Sequence, residues 1–573
     1  STDARRPAHF TPGITRVCVS GLRVLGVTLT KEVYSIVFCV VVWWFSRHNS
    51  AFIIVCKVSF TETMFSFLIF GCLLGTTWSA NILAVFPHPG KSHFDVFEPL
   101  VLELAARGHK VTVIGFYPQD TPVANYTDVS LVGIFPLRLN QVKIGQTDDS
   151  MPDSFSVSNV GLHLCAKILK SDPVRDLLQS ETHFDLVILE MFDSDCFLGL
   201  VHKYGAPYIG FNSAKTSPDQ DRIVGTPTHP AYVSHINLPF TNRMGLLQRV
   251  VNVAYILVMA VERFFVMLWE QRGFYQLMGE EVPSLELLAQ NASLILVNTH
   301  FSLLGSRPLV PAHVEVGGIH MKPPKPLSKE LNDFLNESPE GAIIFSMGSV
   351  LKSSSFPVDK RQAIMDAFAE LPVRVIMKWE NDSLPGKPDN VKISNWLPQR
   401  DVLAHPKIKA FMGHGGLLST GEAVTSGVPM VLIPMFGDQG NNVAHLSSLG
   451  AAVKLDFDYI SKETVLKALR AVLYDPSYQE KVKELSEQFR DRPMSPLDTA
   501  VYWTEYVLRH KGARHLRSPA VDMPWYQLWL LDVVLVLLSG LAALLLLVLW
   551  FARRYNLGLP QSLHLSTQRK KKV

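Results

Sequence analysis

The sequence predicts an α/β protein made of two facing, doubly wound halves followed by one transmembrane helix. Three observations carry that expectation: short apolar runs alternate with amphipathic stretches, the alternation restarts beyond a proline-rich connector, and a long uncharged apolar run lies near the C-terminus. The chain has 573 residues, 47% hydrophobic and 18% charged, which suits two or three domains and excludes a disordered polymer. Its formal charge is only +3, and basic residues cluster only in the last few positions, so nucleic acid is not an expected partner.

Residues 1–63 contain no methionine and show neither a helical nor a strand period, so they read as an upstream segment foreign to the natural protein. Residues 64–80, "MFSFLIFGCLLGTTWSA", have the short apolar body and small-residue end of a secretory signal. The first half is expected over 81–322. "NILAVF" is a buried-strand run, "PHPGKSH" a turn, "FDVFEPLVLELAARG" an amphipathic helix and "HKVTVIG" the next strand; "HFDLVILE", "APYIGFNS" and "NASLILVNTH" continue the pattern. A linker follows at 323–340. The second half, 341–520, restarts with "GAIIFSMGS", "VRVIMKWE", "VKISNWLP", "IKAFMGHGG" and "VPMVLIP". Sheets of this kind bind ligands beyond the carboxyl ends of their strands, so the loops after these runs are where chemistry belongs.

One stretch breaks the pattern. Val250 to Gln271 is more apolar than a surface helix should be, yet Glu262 and Arg263 interrupt it; it reads as a pocket wall or membrane-dipping helix, against a plain core helix. Val533 to Phe551 carries no charge and covers roughly 28 Å of helix, enough to span a bilayer. Residues 552–573 beyond it hold Arg553, Arg554 and Arg569 to Lys572, which predicts a cytosolic tail and a type I orientation. The final "KKKV" resembles a dilysine signal for retrieval to the endoplasmic reticulum, which places both halves in its lumen. Sequons at Asn125, Asn291 and Asn381, with a weaker one at Asn336, agree with lumenal exposure. Outside the first 80 residues only Cys165 and Cys196 remain, enough for one bridge and too few for a thiolate zinc site.

The stretch from Gly413 to Asn442, "GHGGLLSTGEAVTSGVPMVLIPMFGDQGNN", reads as a ligand loop. Gly415 and Gly416 let backbone approach a ligand, Ser419 is expected as the N-cap of the next helix, and a helix N-terminus with His414 beside it suits a pyrophosphate. The bland alternative is a capping box, since Ser419 and Glu422 have the S-x-x-E spacing. Together with "NWLPQ" upstream, the run His414, Gly415, Gly416, Glu422, Pro429, Pro434, Asp438 and Gln439 resembles the signature of the UDP-glycosyltransferases, GT-B enzymes with two Rossmann-like domains.

That resemblance implies roles for individual residues. Trp396 would stack on uracil with Gln399 against the nucleotide, and Ser346, Gly348 and Ser349 of "FSMGS" would form a phosphate loop. His414 with Gly416 and Ser419 would face phosphate, Glu422 the ribose hydroxyls, and Asp438 and Gln439 the sugar hydroxyls. His93 in "GKSHF" would be the general base, with His88 its rival; Glu190 or Asp195 would be its acidic partner, Asp195 preferred for its chemical identity, with Asp193 nearby. Gly413, Leu418 and Gly421 depart from the usual pattern. The expected reaction is inverting transfer of a hexose, glucose in preference to glucuronate, from a UDP-sugar to a hydroxyl of a small lipophilic acceptor, with no metal and no tightly bound cofactor. The partners are the donor, the acceptor and the membrane, and a homo-oligomer is left open. "DSD" also fits a metal-holding D-x-D pattern. The rival functions are a silent lipophile-binding membrane protein and a UDP-sugar epimerase.

Overall fold

The computed structural model describes residues 79–145, 154–192, 194–279 and 281–555, together with strands at 18–19, 22–23, 37–45 and 51–59. The chain forms two units, Ser1–Trp78 and Ser79–Val573. In the first, Cys18–Val19 pairs antiparallel with Leu22–Arg23, and Val37–Phe45 pairs antiparallel with Ala51–Ser59. The sequence reading found no strand period there. The nine residues VFCVVVWWF are β-branched or aromatic almost throughout, and that composition favours a strand without any alternation. The signal-like stretch and the basic tail beyond Tyr555 fall outside the described residues, apart from Ser79 and Ala80.

The second unit holds both expected halves. The first is a seven-stranded parallel sheet in the order His313–Glu315, Ala292–Val297, Tyr208–Asn212, Leu186–Glu190, Asn81–Phe86, Lys110–Gly115, Tyr126–Ser130. Every residue of Leu186–Glu190, Tyr208–Asn212 and Ala292–Val297 is buried, as strands covered by helices on both faces require. The second is a six-stranded parallel sheet in the order Val391–Ser394, Arg374–Lys378, Ala342–Ser346, Ile408–Gly413, Met430–Leu432, Ala452–Lys454. In each half the chain lays three strands outward and then returns to the other side of the first. The reversal falls between Asn81–Phe86 and Leu186–Glu190 in one sheet, and between Ala342–Ser346 and Ile408–Gly413 in the other. Loops diverge there, so each sheet has a crevice at its carboxyl end at that point.

Two features depart from the sequence reading, and a third decides between its alternatives. Helix Pro496–Arg509, expected in the C-terminal half, packs on helix Lys91–Ala106 and strand Ala292–Val297, with Ala500, Val501, Val507 and Leu508 in the first half's core. Its apolar face needs cover, and the first sheet supplies it. Within 323–340, Lys329–Asn336 is a helix rather than open linker, and its Leu335 joins the second half's core. The apolar stretch around Val250 is a helix from Leu246 to Met278 that buries only Asn252, Val266, Glu270 and Phe274, which rules out a plain core helix.

A short strap joins the halves. Asn140 N–H donates to Ser349 O at 2.8 Å, Gln141 and Val142 N–H both donate to Val350 O at 3.0 and 3.2 Å, and Val142–Lys143 pairs in parallel with Leu351–Lys352. Ile144 then lies buried in the second half's core. Cys165 and Cys196 are bridged, tying helix Ser154–Leu169 to the turn at Asp195–Phe197. At the other end, Leu531–Arg554 forms a 24-residue apolar helix with no buried residue, long enough to cross a membrane.

Candidate active site

The first switch point carries His93. The helix expected to begin after it begins at Lys91, with Gly90 as N-cap, so His93 lies in the first turn and its N–H bonds back to Gly90 O at 3.2 Å. Its Nδ1 is 2.7 Å from Oε1 of Glu190, the last residue of the neighbouring strand, and 3.1 Å from Ser213 Oγ. A buried carboxylate only accepts, so Nδ1 carries the proton and Nε2 keeps its lone pair. Glu190 also accepts from His88 N–H at 3.4 Å. His88 stacks on His93 with ring centroids 3.8 Å apart, and Phe192 stands edge-on to both rings. Burial, with His93 and Arg138 acting the same way, holds His88 well below its usual value, so it is neutral. Gly90 N–H occupies its Nδ1 at 3.0 Å.

The carboxylate beside His93 is therefore Glu190 and not Asp195. Asp195 bonds Arg263, which also reaches Glu270 at 3.1 Å and Asp219 at 3.7 Å. The reason is positional: Glu190 ends a strand adjacent to the one His93 follows, whereas Asp195 has already turned into a 3-10 helix facing the long helix. Asp193 lies outside the described residues. With Asp195 held by a guanidinium, the D-x-D reading has lost one of its two carboxylates.

The second switch point carries the glycine loops. Ser346 ends its strand opposite Gly413, and its Oγ accepts from Gly348 N–H at 3.3 Å. His414 is wedged between two glycines: a Cβ on Gly348 would come within 2.6 Å of its Cε1, and one on Gly416 within 2.3 Å of its Nε2. Gly348 also has φ +80°. Burial, with Lys378 adding to it, lowers His414 to about 4, so it is neutral, and its Nδ1 is buried without a hydrogen-bond partner. Gly416, not Ser419, is the N-cap of helix Leu417–Thr425; Ser419 sits buried inside the helix. There is no capping box. Glu422 instead accepts from Gln399 Nε2 at 2.7 Å, and burial pushes its carboxyl up to about 7 against that bond.

Trp396 stands 57% exposed at this edge, its ring face open for stacking. Asp438 and Gln439 open helix Gln439–Ser448, where their roles divide. Gln439 Oε1 is used internally, accepting from Met435 and Phe436 N–H at 2.8 and 3.2 Å. Burial raises the Asp438 carboxyl, while a bond from Asn442 at 2.9 Å acts the other way. Asn442 also donates to Gly415 O at 3.1 Å, so it ties the glycine loop to the Asp438 turn. Sequence reasoning gave no role to Asn442, Ser213, Phe192, Lys378 or Asn140. Asn442 ended the quoted motif, and its spacing of four from Asp438 was the available signal; the others meet the site only through tertiary contact. Among the described residues no group of three His, Cys, Asp or Glu side chains is placed to hold a metal ion.

Two parallel α/β halves, with a histidine–carboxylate pair at one switch point facing a glycine-lined cradle at the other, define a glycosyltransferase of the GT-B architecture. A solved glycosyltransferase of kitacinnamycin shares that fold at a TM-score of 0.52 and 18% identity, over 76% of this chain and 99% of that one. The chain belongs to the family described as UDP-glucoronosyl and UDP-glucosyl transferase, which it matches over residues 114–557. It is similar to UDP-glycosyltransferase UGT5 of Dactylopius coccus, 39% identical over 493 residues, covering 84% of this chain and 94% of the relative. It is also 40% identical over 493 residues to UDP-glucosyltransferase 2 of the same organism, covering 85% and 95%. The chain is thus a UDP-glycosyltransferase, transferring sugar from a UDP-sugar to an acceptor.

Proposed function

We propose that the protein catalyses inverting transfer of glucose from UDP-glucose to a hydroxyl of a small lipophilic acceptor, with His93 as general base. The observation that carries this reading is the His93–Glu190 contact, which engages Nδ1 and leaves Nε2 as the ring nitrogen available to take a proton. Nε2 accepts the acceptor's hydroxyl proton as the oxygen attacks the anomeric carbon from the face opposite UDP. The electrons of the breaking C–O bond pass to the β-phosphate oxygen. Glu190 then faces an imidazolium, whose charge it steadies without taking its proton.

In the second half the diphosphate takes the N-terminus of Leu417–Thr425 with the Ser346–Ser349 loop, where free N–H groups meet negative charge. His414, neutral and with an unpartnered Nδ1, has a polar atom left for a phosphate oxygen. Glu422 accepts from ribose hydroxyls beside Gln399, Trp396 stacks on uracil, and Asp438 binds sugar hydroxyls. Gln439 shapes the Asp438 turn by its own bonds and leaves only its amide N–H groups for sugar. Glucose in preference to glucuronate is supported by the identity to the Dactylopius coccus glucosyltransferase. Helix Leu531–Arg554, ending in Arg553 and Arg554, supports a membrane anchor with both halves on the lumenal side, and Asn125, Asn291 and Asn381 lie exposed there as glycan acceptors. A panel of UDP-sugars assayed with detergent-solubilised protein and a simple phenol tests the reading. UDP-glucose should be consumed fastest and the glucoside should have inverted configuration; preference for UDP-glucuronate overturns the donor, and a retained configuration overturns the mechanism.

A further inference from the structure

The long helix Leu246–Met278 buries one face and leaves the other bare. Inward, Asn252 donates to Pro230 O and Val233 O at 2.8 and 2.9 Å, Phe274 is fully buried, and Arg263 bonds Asp195 and Glu270. Outward, Leu246, Val250, Leu257, Val261, Phe264 and Leu268 recur at helical spacing and are each between 52% and 72% exposed. No charged residue interrupts that stripe. It runs about 33 Å along the helix, more contiguous apolar surface than a soluble monomer leaves in water. The helix is long and apolar enough to cross a membrane, but its inner face is bonded to the protein, so it lies along the surface instead.

What covers the stripe follows from how it is attached. Helix Pro218–Val224 joins it to the root of the terminal apolar helix: Asp219 pairs with Arg263 of the long helix, while Val224 O accepts from Ser518 N–H at 3.2 Å. Beyond Ser518, exposed Trp525, Tyr526 and Trp529 precede Leu531–Arg554, the aromatic girdle expected where a span enters the headgroup layer. Exposed Arg243, Arg249 and Arg272 bracket the bare stripe, placing cations beside it for lipid phosphates.

Resting on the membrane anchor of the proposed function, we propose that the Leu246–Leu268 face lies in the interfacial layer of the same bilayer that holds Leu531–Arg554. The protein then touches lipid twice. The inner side of this helix is bonded to the turn that follows Phe192, the ring packed on His93, so a lipophilic acceptor arriving from the acyl layer meets the base side of the cleft first.

The test uses the full chain, with Cys18, Cys39, Cys56 and Cys72 changed to Ser and the Cys165–Cys196 bridge kept, in phosphatidylcholine–phosphatidylserine vesicles. Nitroxides at Leu257→Cys and Phe264→Cys are compared by power saturation with Leu541→Cys in the terminal helix and Tyr459→Cys, 74% exposed on the other half. The expected result is high oxygen and low nickel-chelate accessibility at 257 and 264, as at 541 and opposite to 459. Readings at 257 and 264 like those at 459, while 541 reads as lipid, overturn the proposal and leave the anchor standing. Dipolar broadening relieved by diluting with unlabelled chain also overturns it, in favour of a second copy as the cover. A water-like reading at 541 overturns the anchor and this proposal with it. In the same vesicles, Leu257→Glu with Phe264→Glu should raise KM for a membrane-partitioned phenol several-fold with KM for UDP-glucose unchanged; equal rises in both overturn the delivery route.

Discussion

The pairing of His93 with Glu190 makes separable demands on three side chains. His93→Ala should lower kcat by roughly 10²- to 10⁴-fold with UDP affinity nearly unchanged, because the proposed base lies in the other half from the proposed nucleotide cradle. Glu190→Gln should approach the same loss: an amide at this site can donate to Nδ1 and drive the proton onto Nε2, the wrong tautomer for a base. Asp195→Asn should stay within about threefold, since its partner is Arg263 on the outer helix. Steady-state kinetics on the three variants ranks them, and a severe Asp195 effect beside a mild Glu190 one would reverse the assignment. Glu422 sets a pH dependence of its own. Its carboxyl is pushed up to about 7 by burial, so it is protonated below that value and ionised above it. In its proposed role at the ribose, the ionised form is the stronger acceptor for two hydroxyls, so UDP affinity measured by calorimetry should rise from about pH 6 to about pH 8. Glu422→Gln should flatten that rise. His414, at about 4, stays neutral throughout and adds nothing to it.

Among the elements, the loop after Ala342–Ser346 depends on one missing atom, the Cβ at residue 348. Gly348 sits at φ +80° with its open side against His414, so an added methyl meets both a left-handed backbone and an imidazole. Gly348→Ala should weaken UDP binding by roughly 5- to 30-fold from the backbone cost of about 1–2 kcal/mol alone, and by more where His414 is displaced. Equilibrium binding of UDP to the folded variant checks this. Such a loop was legible in advance, because glycines after an apolar strand announce a close approach. So were the ten strand runs, whose Val, Ile and Phe content leaves few alternatives. Elements whose place depends on a distant surface were not legible. Pro496–Arg509 is amphipathic wherever it packs, and nothing local assigns it to the first sheet rather than the second. The preference for Asp195 over Glu190 failed for the same reason: chemical identity favoured the aspartate, and the order of strands across the switch point put the glutamate beside His93. Ser419 and Glu422 had the spacing of a capping box, but the helix starts at Gly416, and the carboxylate turns to Gln399 instead.

For the whole molecule, the two halves meet through side chains and also through main chain. Lys378 reaches across to Asn140 Oδ1 at 2.6 Å, and Asn140 itself holds φ 51°, a conformation asparagine tolerates better than most residues. Pro89, next to His88, accepts from Arg138 N–H at 3.1 Å, so one run of chain links the base loop to the residue after the phosphate loop's Gly348. That link bears on timing. In the proposed reading the leaving nucleotide lies beside the Ser346–Ser349 loop, and consecutive peptide hydrogen bonds hold Ser349 and Val350 to Asn140, Gln141 and Val142. We predict that the parting of the halves, after the bond to sugar has formed, limits each cycle. In the wild type, kcat should fall as solvent viscosity is raised with sucrose, and a pre-steady-state burst of glucoside should precede the linear rate. Asn140→Gly, which keeps the backbone conformation and removes the bond to Lys378, should shorten the wait: a weaker viscosity dependence, a smaller burst and faster escape of UDP, with the single-turnover rate of the first glucoside hardly altered.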